Sequence, residues 1–125
     1  MPAEIVLVDT DTEFAKAAAG ALQSAGYSVA VFSESMRALD TLDFPRALRL
    51  LITRVEFPRG KPTGISLAQM TKLRKRELAV LFVGPSEAQP FTTDIGEFVC
   101  APIAVSELAE RATRMLGRGQ VHLPA

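Results

Sequence analysis

The chain predicts an α/β fold in which a parallel five-stranded sheet lies between layers of helices. Three observations point to it. Short, nearly continuous apolar runs recur along the chain, as in strands buried on both faces. Most of these runs are followed by a segment with apolar residues at helical spacing. Glycine, proline and small polar residues punctuate the transitions. The 125 residues suffice for one domain with a real core, and 48% hydrophobic against 22% charged residues is an ordinary globular balance.

The elements follow in order. Glu4 to Asp9 reads as a buried first strand. Asp11 or Thr12 then caps a helix over Glu13 to Leu22, with Phe14, Ala18, Ala21 and Leu22 on one face. Gly26 is placed to end it in a left-handed conformation. Tyr27 to Phe32 is a second strand. Ser33 or Ser35 begins a short helix through Met36, Leu39 and Leu42, closed by Pro45. Leu48 to Thr53 forms the third strand, followed by a loop with Pro58, Gly60, Pro62 and Gly64 as breakers. A helix from Ser66 to about Arg76 turns Leu67, Met70 and Leu73 inward. Leu78 to Val83 is the fourth strand. The stretch from Gly84 to Gly96, with Pro85 and Pro90, supports only a weak helix. Glu97 to Cys100 is the fifth strand, and Val105 to Leu116 a last amphipathic helix ended by Gly117-Arg118-Gly119. Alternation of this kind predicts a three-layer, flavodoxin-like (βα)5 sandwich with strand order 2-1-3-4-5 and a shortened fourth helix. Residues 1–117 form the domain, and 118–125 read as a tail or a truncated linker.

Composition removes several classes of function. Lys+Arg and Asp+Glu are 14 each, so the formal charge is zero and nothing favours direct nucleic-acid or membrane binding. The basic run Lys72 to Arg76 reads as a solvated helix end. The one cysteine, Cys100, rules out an internal disulfide, suits a reducing cytoplasm and is expected in the core. The one histidine, His122, leaves no basis for His/Cys metal clusters or a His-based triad. No signal-peptide pattern opens the chain, and no apolar run reaches the roughly 18–20 residues that span a bilayer.

The strand end at Arg54 is the most informative position, because open α/β sheets place their chemistry at the carboxyl ends of strands. Five segments carry a resemblance. They are Ile5-Val6-Leu7-Val8-Asp9-Thr10-Asp11, Ala25-Gly26-Tyr27-Ser28-Val29, Thr53-Arg54-Val55-Glu56-Phe57-Pro58, Gly64-Ile65-Ser66-Leu67 and Phe98-Val99-Cys100-Ala101-Pro102-Ile103. Taken together, from about Ile5 to Leu116, the chain resembles a bacterial response-regulator receiver domain of the CheY-like kind. That resemblance implies phosphoryl transfer from a histidine kinase to an aspartate, with carboxylates holding Mg²⁺, a hydroxyl donor and a lysine.

The matching positions are altered. Arg54 occupies the acceptor position, and a guanidinium cannot accept a phosphoryl group. Asp9 matches the first metal carboxylate and Thr10 occupies the second. The hydroxyl position falls at Val83, or at Gly84 one residue on, and the lysine position is Ala101. Asp11 comes one residue late, and Glu56 lies near the place where the family offers a carbonyl to the metal. Asp9, Asp11 and Glu56 are the weak candidates for a cation, and Mg²⁺ is not expected. Phe98 sits where the family has its switch aromatic, next to Pro102 on the interaction face; the plain alternative is a half-buried strand residue. The loop carries extra residues, Arg59-Gly60-Lys61-Pro62-Thr63.

The physical expectation is that Arg54 pairs with Asp9 or Asp11 in place of a metal; the other outcome is an arginine directed to solvent. The function expected is a cytoplasmic pseudo-receiver, not an enzyme and without a cofactor. It would act by contact with a histidine kinase, an output domain or another regulator, with a homodimer left open. The alternatives are a receiver phosphorylated through shifted chemistry, for instance at Thr53, and a small flavodoxin-like nucleotide or cofactor binder.

Overall fold

The computed structural model describes residues 3–42, 47–58 and 63–120. Pro45, Gly60, Pro62, most of the extra loop and residues 121–125 with His122 lie outside them. The elements are β1 (Ile5–Val8), α1 (Thr12–Ser24), β2 (Val29–Phe32), α2 (Ser35–Leu42), β3 (Leu50–Arg54), α3 (Gly64–Arg74), β4 (Ala79–Gly84), β5 (Glu97–Cys100) and α4 (Val105–Gln120). The connection between β4 and β5 carries only a 3-10 helix, Ser86–Phe91, in place of a full helix. All pairings are parallel and the strand order is β2-β1-β3-β4-β5, as expected.

Side chains alternate across the sheet, so the central strands supply two cores. Ile5, Leu7, Leu50, Ile52, Leu81 and Val83 pack under α1 and α4. Val6, Val8, Leu51, Val80 and Phe82 pack under α2 and α3. This double burial is why these strands read as unbroken apolar runs. On α1 the buried positions are Ala15, Ala18, Ala19 and Leu22. Asp11 caps that helix, its side chain accepting from the Phe14 amide at 3.1 Å. Gly26 follows the helix with a φ of 104°, in the left-handed region that favours glycine.

Four expectations are corrected. First, α3 starts at Gly64 rather than Ser66, capped by the Thr63 side chain. Second, its buried side is Leu67, Ala68 and Thr71, while Leu73 is 84% exposed. Spacings of three drift by about 60° per step, so the third member of the series leaves the face. Thr71 is admitted to the core because its hydroxyl donates to the Leu67 carbonyl at 2.7 Å.

Third, Cys100 is exposed, not in the core. Strand alternation sends Val99 inward toward α4 and turns Cys100 to the other face. There the crossover offers only the six-residue 3-10 helix as cover. Fourth, α4 runs on through Gly117 and Gly119 to Gln120. Among the described glycines only Gly26 has a positive φ, so Gly117 forms no left-handed stop. The basic run is also not wholly solvated, since the Lys72 ammonium donates to the Ile95 carbonyl at 2.8 Å.

Candidate functional site

Parallel pairing of β1 and β3 sets Val8 beside Thr53, so the next residues, Asp9 and Arg54, emerge side by side at the strand ends. The Asp9 amide donates to the Phe32 carbonyl at 3.0 Å, which continues the ladder toward β2 and pulls the carboxylate inside. Asp9 is only 2% exposed. A carboxylate so placed needs partners, and it has two on one oxygen. The Arg54 Nε–H donates to Asp9 Oδ1 at 2.6 Å, and the Asp11 amide donates to the same oxygen at 2.8 Å. The expected ion pair is therefore with Asp9. Asp11 contributes through its backbone, its side chain being committed to the α1 cap.

Arg54 is held from behind. Its carbonyl accepts from the Thr53 hydroxyl at 2.9 Å. Gly64 lies against the same carbonyl so closely that a methyl group there would overlap it. The neighbouring Val55 amide donates to the Val83 carbonyl, and Val55 accepts from the Gly64 amide. The β3–α3 junction is thus pinned to β4, and the arginine leaves a fixed backbone. Of these supports, Gly64 was visible in the sequence as a breaker ahead of the third helix. Thr53 gave no signal of its role, since a buried threonine in a strand is ordinary.

A cleft of about 100 Å³ opens here, with Asp9, Asp11 and Arg54 on its polar side. Phe14, Val83, Ala101 and Pro102 form its apolar side. Ordinary small-molecule pockets measure roughly 300–1,000 Å³. Thr10 and Glu56 are both exposed and do not line the cleft. Val83 is buried and paired in register with Arg54. Gly84 faces the other layer, where an added methyl would meet Val55 and, farther off, the Phe98 ring. Neither residue supplies a hydroxyl. The Ala101 amide donates to the Gly84 carbonyl at 2.8 Å, and the Ala101–Pro102 bond is cis. Phe98 is half-buried against the α3-side core and does not reach the cleft. A larger, open groove of about 500 Å³ follows β5 past Phe98, Cys100 and Pro102 to Glu107 and Arg111.

Magnesium requires near-octahedral oxygen ligation. The residues present do not fit it. Asp9 Oδ1 is already taken by two N–H donors, one of them cationic. Among the described residues no group of three His, Cys, Asp or Glu side chains is close enough to hold a metal ion.

The fold has many solved counterparts. A CheY-like response-regulator receiver domain protein from Methanospirillum hungatei JF-1 superposes with a TM-score of 0.80 at 18% identity, covering 94% of this chain and 96% of that one. The fold is that of a CheY-like receiver domain. A response-regulator receiver domain from Clostridium thermocellum gives 0.79 at 18% identity, over 94% and 97% of the two chains. The receiver domain of the hybrid histidine kinase CckA gives 0.74 at 25% identity, over 90% and 97%. No protein-family model and no curated protein matches the chain. The receiver fold is therefore shared at low sequence identity. No helix among the described residues is long and apolar enough to cross a membrane.

Proposed function

We propose that this chain is a receiver-like signalling module of a two-component system that is not phosphorylated and works by binding other proteins. The observation that carries the reading is the Arg54–Asp9 pair. The residue at the expected acceptor position is a guanidinium, and it is bound to the carboxylate expected to serve a metal. Phosphoryl transfer needs an acceptor oxygen, charge neutralisation by a metal and a positioned hydroxyl and ammonium. Arg54 is no acceptor, Val83 and Gly84 bear no hydroxyl, and Ala101 bears no amine. The module is accordingly read as no enzyme, needing no cofactor, and cytoplasmic. Its partners are a histidine kinase, an output domain or another regulator.

The two alternatives find less support. Thr53 is fully buried and its hydroxyl is spent on the Arg54 carbonyl, so it is poorly placed to take a phosphoryl group. The strand-end cleft is too small for a nucleotide and carries acid where phosphate would sit. The test is incubation with acetyl phosphate and Mg²⁺, followed by intact-mass measurement. The expected result is an unchanged mass, together with recovery of a discrete protein partner from native extract. A stable gain of one phosphoryl group would overturn the reading.

A further inference from the structure

We propose that the Arg54 guanidinium is a built-in counter-ion that takes the place of a divalent cation, so that the strand-end cleft has become indifferent to Mg²⁺. The inference deepens the reading above and rests on the same view of the cleft as a receiver-type pocket. It makes a separate claim, about cation binding rather than phosphate.

The Asp9 carboxylate, with its residue only 2% exposed, is costly to bury without a charge partner. A cation against it offsets that cost, supplied either as an ion from solution or by a side chain. The Nε–H of Arg54 makes a 2.6 Å contact with Oδ1, short even for a charge-assisted hydrogen bond. The Asp11 amide occupies the same oxygen. A divalent ion at that oxygen would have to displace both donors, and one at the other oxygen of the same carboxylate would still lie close to the guanidinium. It would then find few further oxygens. One oxygen of the Asp11 carboxylate is held in the α1 cap, while Thr10 and Glu56 lie outside the cleft.

The backbone also favours the arginine. The Arg54 carbonyl receives the Thr53 hydroxyl and is covered by Gly64, so the side chain leaves a fixed backbone. The guanidinium is itself part of the fold, so its hold on Asp9 does not depend on any concentration in solution. A bound ion stabilises by an amount that rises with the logarithm of its concentration over its dissociation constant. The consequence is a receiver-like pocket whose electrostatic state is constant. It does not sense the divalent cation that an acidic strand-end cleft would otherwise collect.

The test compares the intact chain with two variants, Arg54→Gln and Arg54→Lys. Melting is followed in EDTA and in millimolar Mg²⁺, and binding by loss of the free Mn²⁺ signal in electron paramagnetic resonance. The unaltered protein should melt within about 1 °C in both buffers and leave Mn²⁺ free, since it binds no ligand that would shift its midpoint. Arg54→Gln leaves Asp9 unpaired; its midpoint should fall by about 10 °C in EDTA, recover in part with Mg²⁺, and Mn²⁺ should now bind. Arg54→Lys keeps a cation and should show no response to either metal.

A Mg²⁺-dependent rise in the unaltered protein would overturn the proposal, as would a folded Arg54→Gln that gains no response. Should Arg54→Gln fail to fold even with Mg²⁺, the unaltered protein and Arg54→Lys decide: metal binding by either overturns the claim. None of these readouts involves phosphate, so a phosphorylated protein that ignores Mg²⁺ would sink the functional reading and leave this one standing.

Discussion

The neighbouring strands β1 and β3 carry an arginine–carboxylate pair at each end, and the two pairs share spacing and register but differ in distance and burial. Glu4 and Asp9 flank β1, and Arg49 and Arg54 stand at the same two levels of β3. At the amino end, Arg49 approaches Glu4 at 3.6 Å, with side chains 28% and 31% exposed. At the carboxyl end, Arg54 meets Asp9 at 2.6 Å, with side chains 32% and 3% exposed. The amino-end pair is diffuse. Glu4 also accepts from the Ser28 amide, and Arg49 donates to the Leu116 carbonyl of α4. The carboxyl-end pair is focused on one buried oxygen. An arginine and a carboxylate in the same register thus make a loose, partly wet pair at one strand end and a close contact on a buried acid at the other. Burial of the acid, not the presence of an ion pair, makes the difference.

The largest expected effect comes from striking the support of the buried pair rather than the pair itself. Gly64→Ala places a methyl group into the Arg54 carbonyl, which is backbone and cannot swing away. Stability measured by urea unfolding should drop by about 3 kcal/mol or more. A drop under about 1 kcal/mol would mean that the β3–α3 junction gives easily and does not fix Arg54.

Arg54→Ala comes next. It strands a buried carboxylate, and the loss should be about 3 kcal/mol. Replacing both partners by leucine should restore much of it, because the unpaired charge is then gone. Arg49→Ala should cost only about 1 kcal/mol, since its partner Glu4, unlike Asp9, also reaches water. Equal losses for the two arginines would erase the contrast between the edges. The smallest effect is that of salt. In about 1 M NaCl the screening length is near 3 Å, so the cost of Arg49→Ala should shrink while that of Arg54→Ala persists.

Much of the fold was legible because the strands are buried on both sides and announce themselves as apolar runs. The Asp11 cap and the Gly26 turn were legible for local reasons: each rests on one residue's own preference. What failed depended on neighbours. Leu73 reads as core until the helix is placed, because leucine is apolar wherever it sits. Cys100 is exposed because the crossover beside it is short, which a strand's own residues do not report. Gly117 does not end α4, since a glycine permits a left-handed stop without requiring one.

The site shows the same division. That Arg54 stands at a strand end was readable from one segment. Which carboxylate it would meet depended on the parallel register of β1 and β3, and Asp9 and Asp11 were equal candidates until that register was known. The matching pair at the other edge, Glu4 with Arg49, went unseen, although its five-residue offset from Asp9 and Arg54 was present in both strands. The Thr53 hydroxyl behind Arg54 left no mark in the sequence at all.

Double-mutant cycles on the two edges measure the contrast directly. One cycle combines Asp9→Ala with Arg54→Ala, the other Glu4→Ala with Arg49→Ala, each followed by urea unfolding. The coupling for Asp9 and Arg54 should be about 2–3 kcal/mol, and that for Glu4 and Arg49 below about 1 kcal/mol. A coupling near zero between Asp9 and Arg54 would contradict the claim that the guanidinium seals the strand-end cleft.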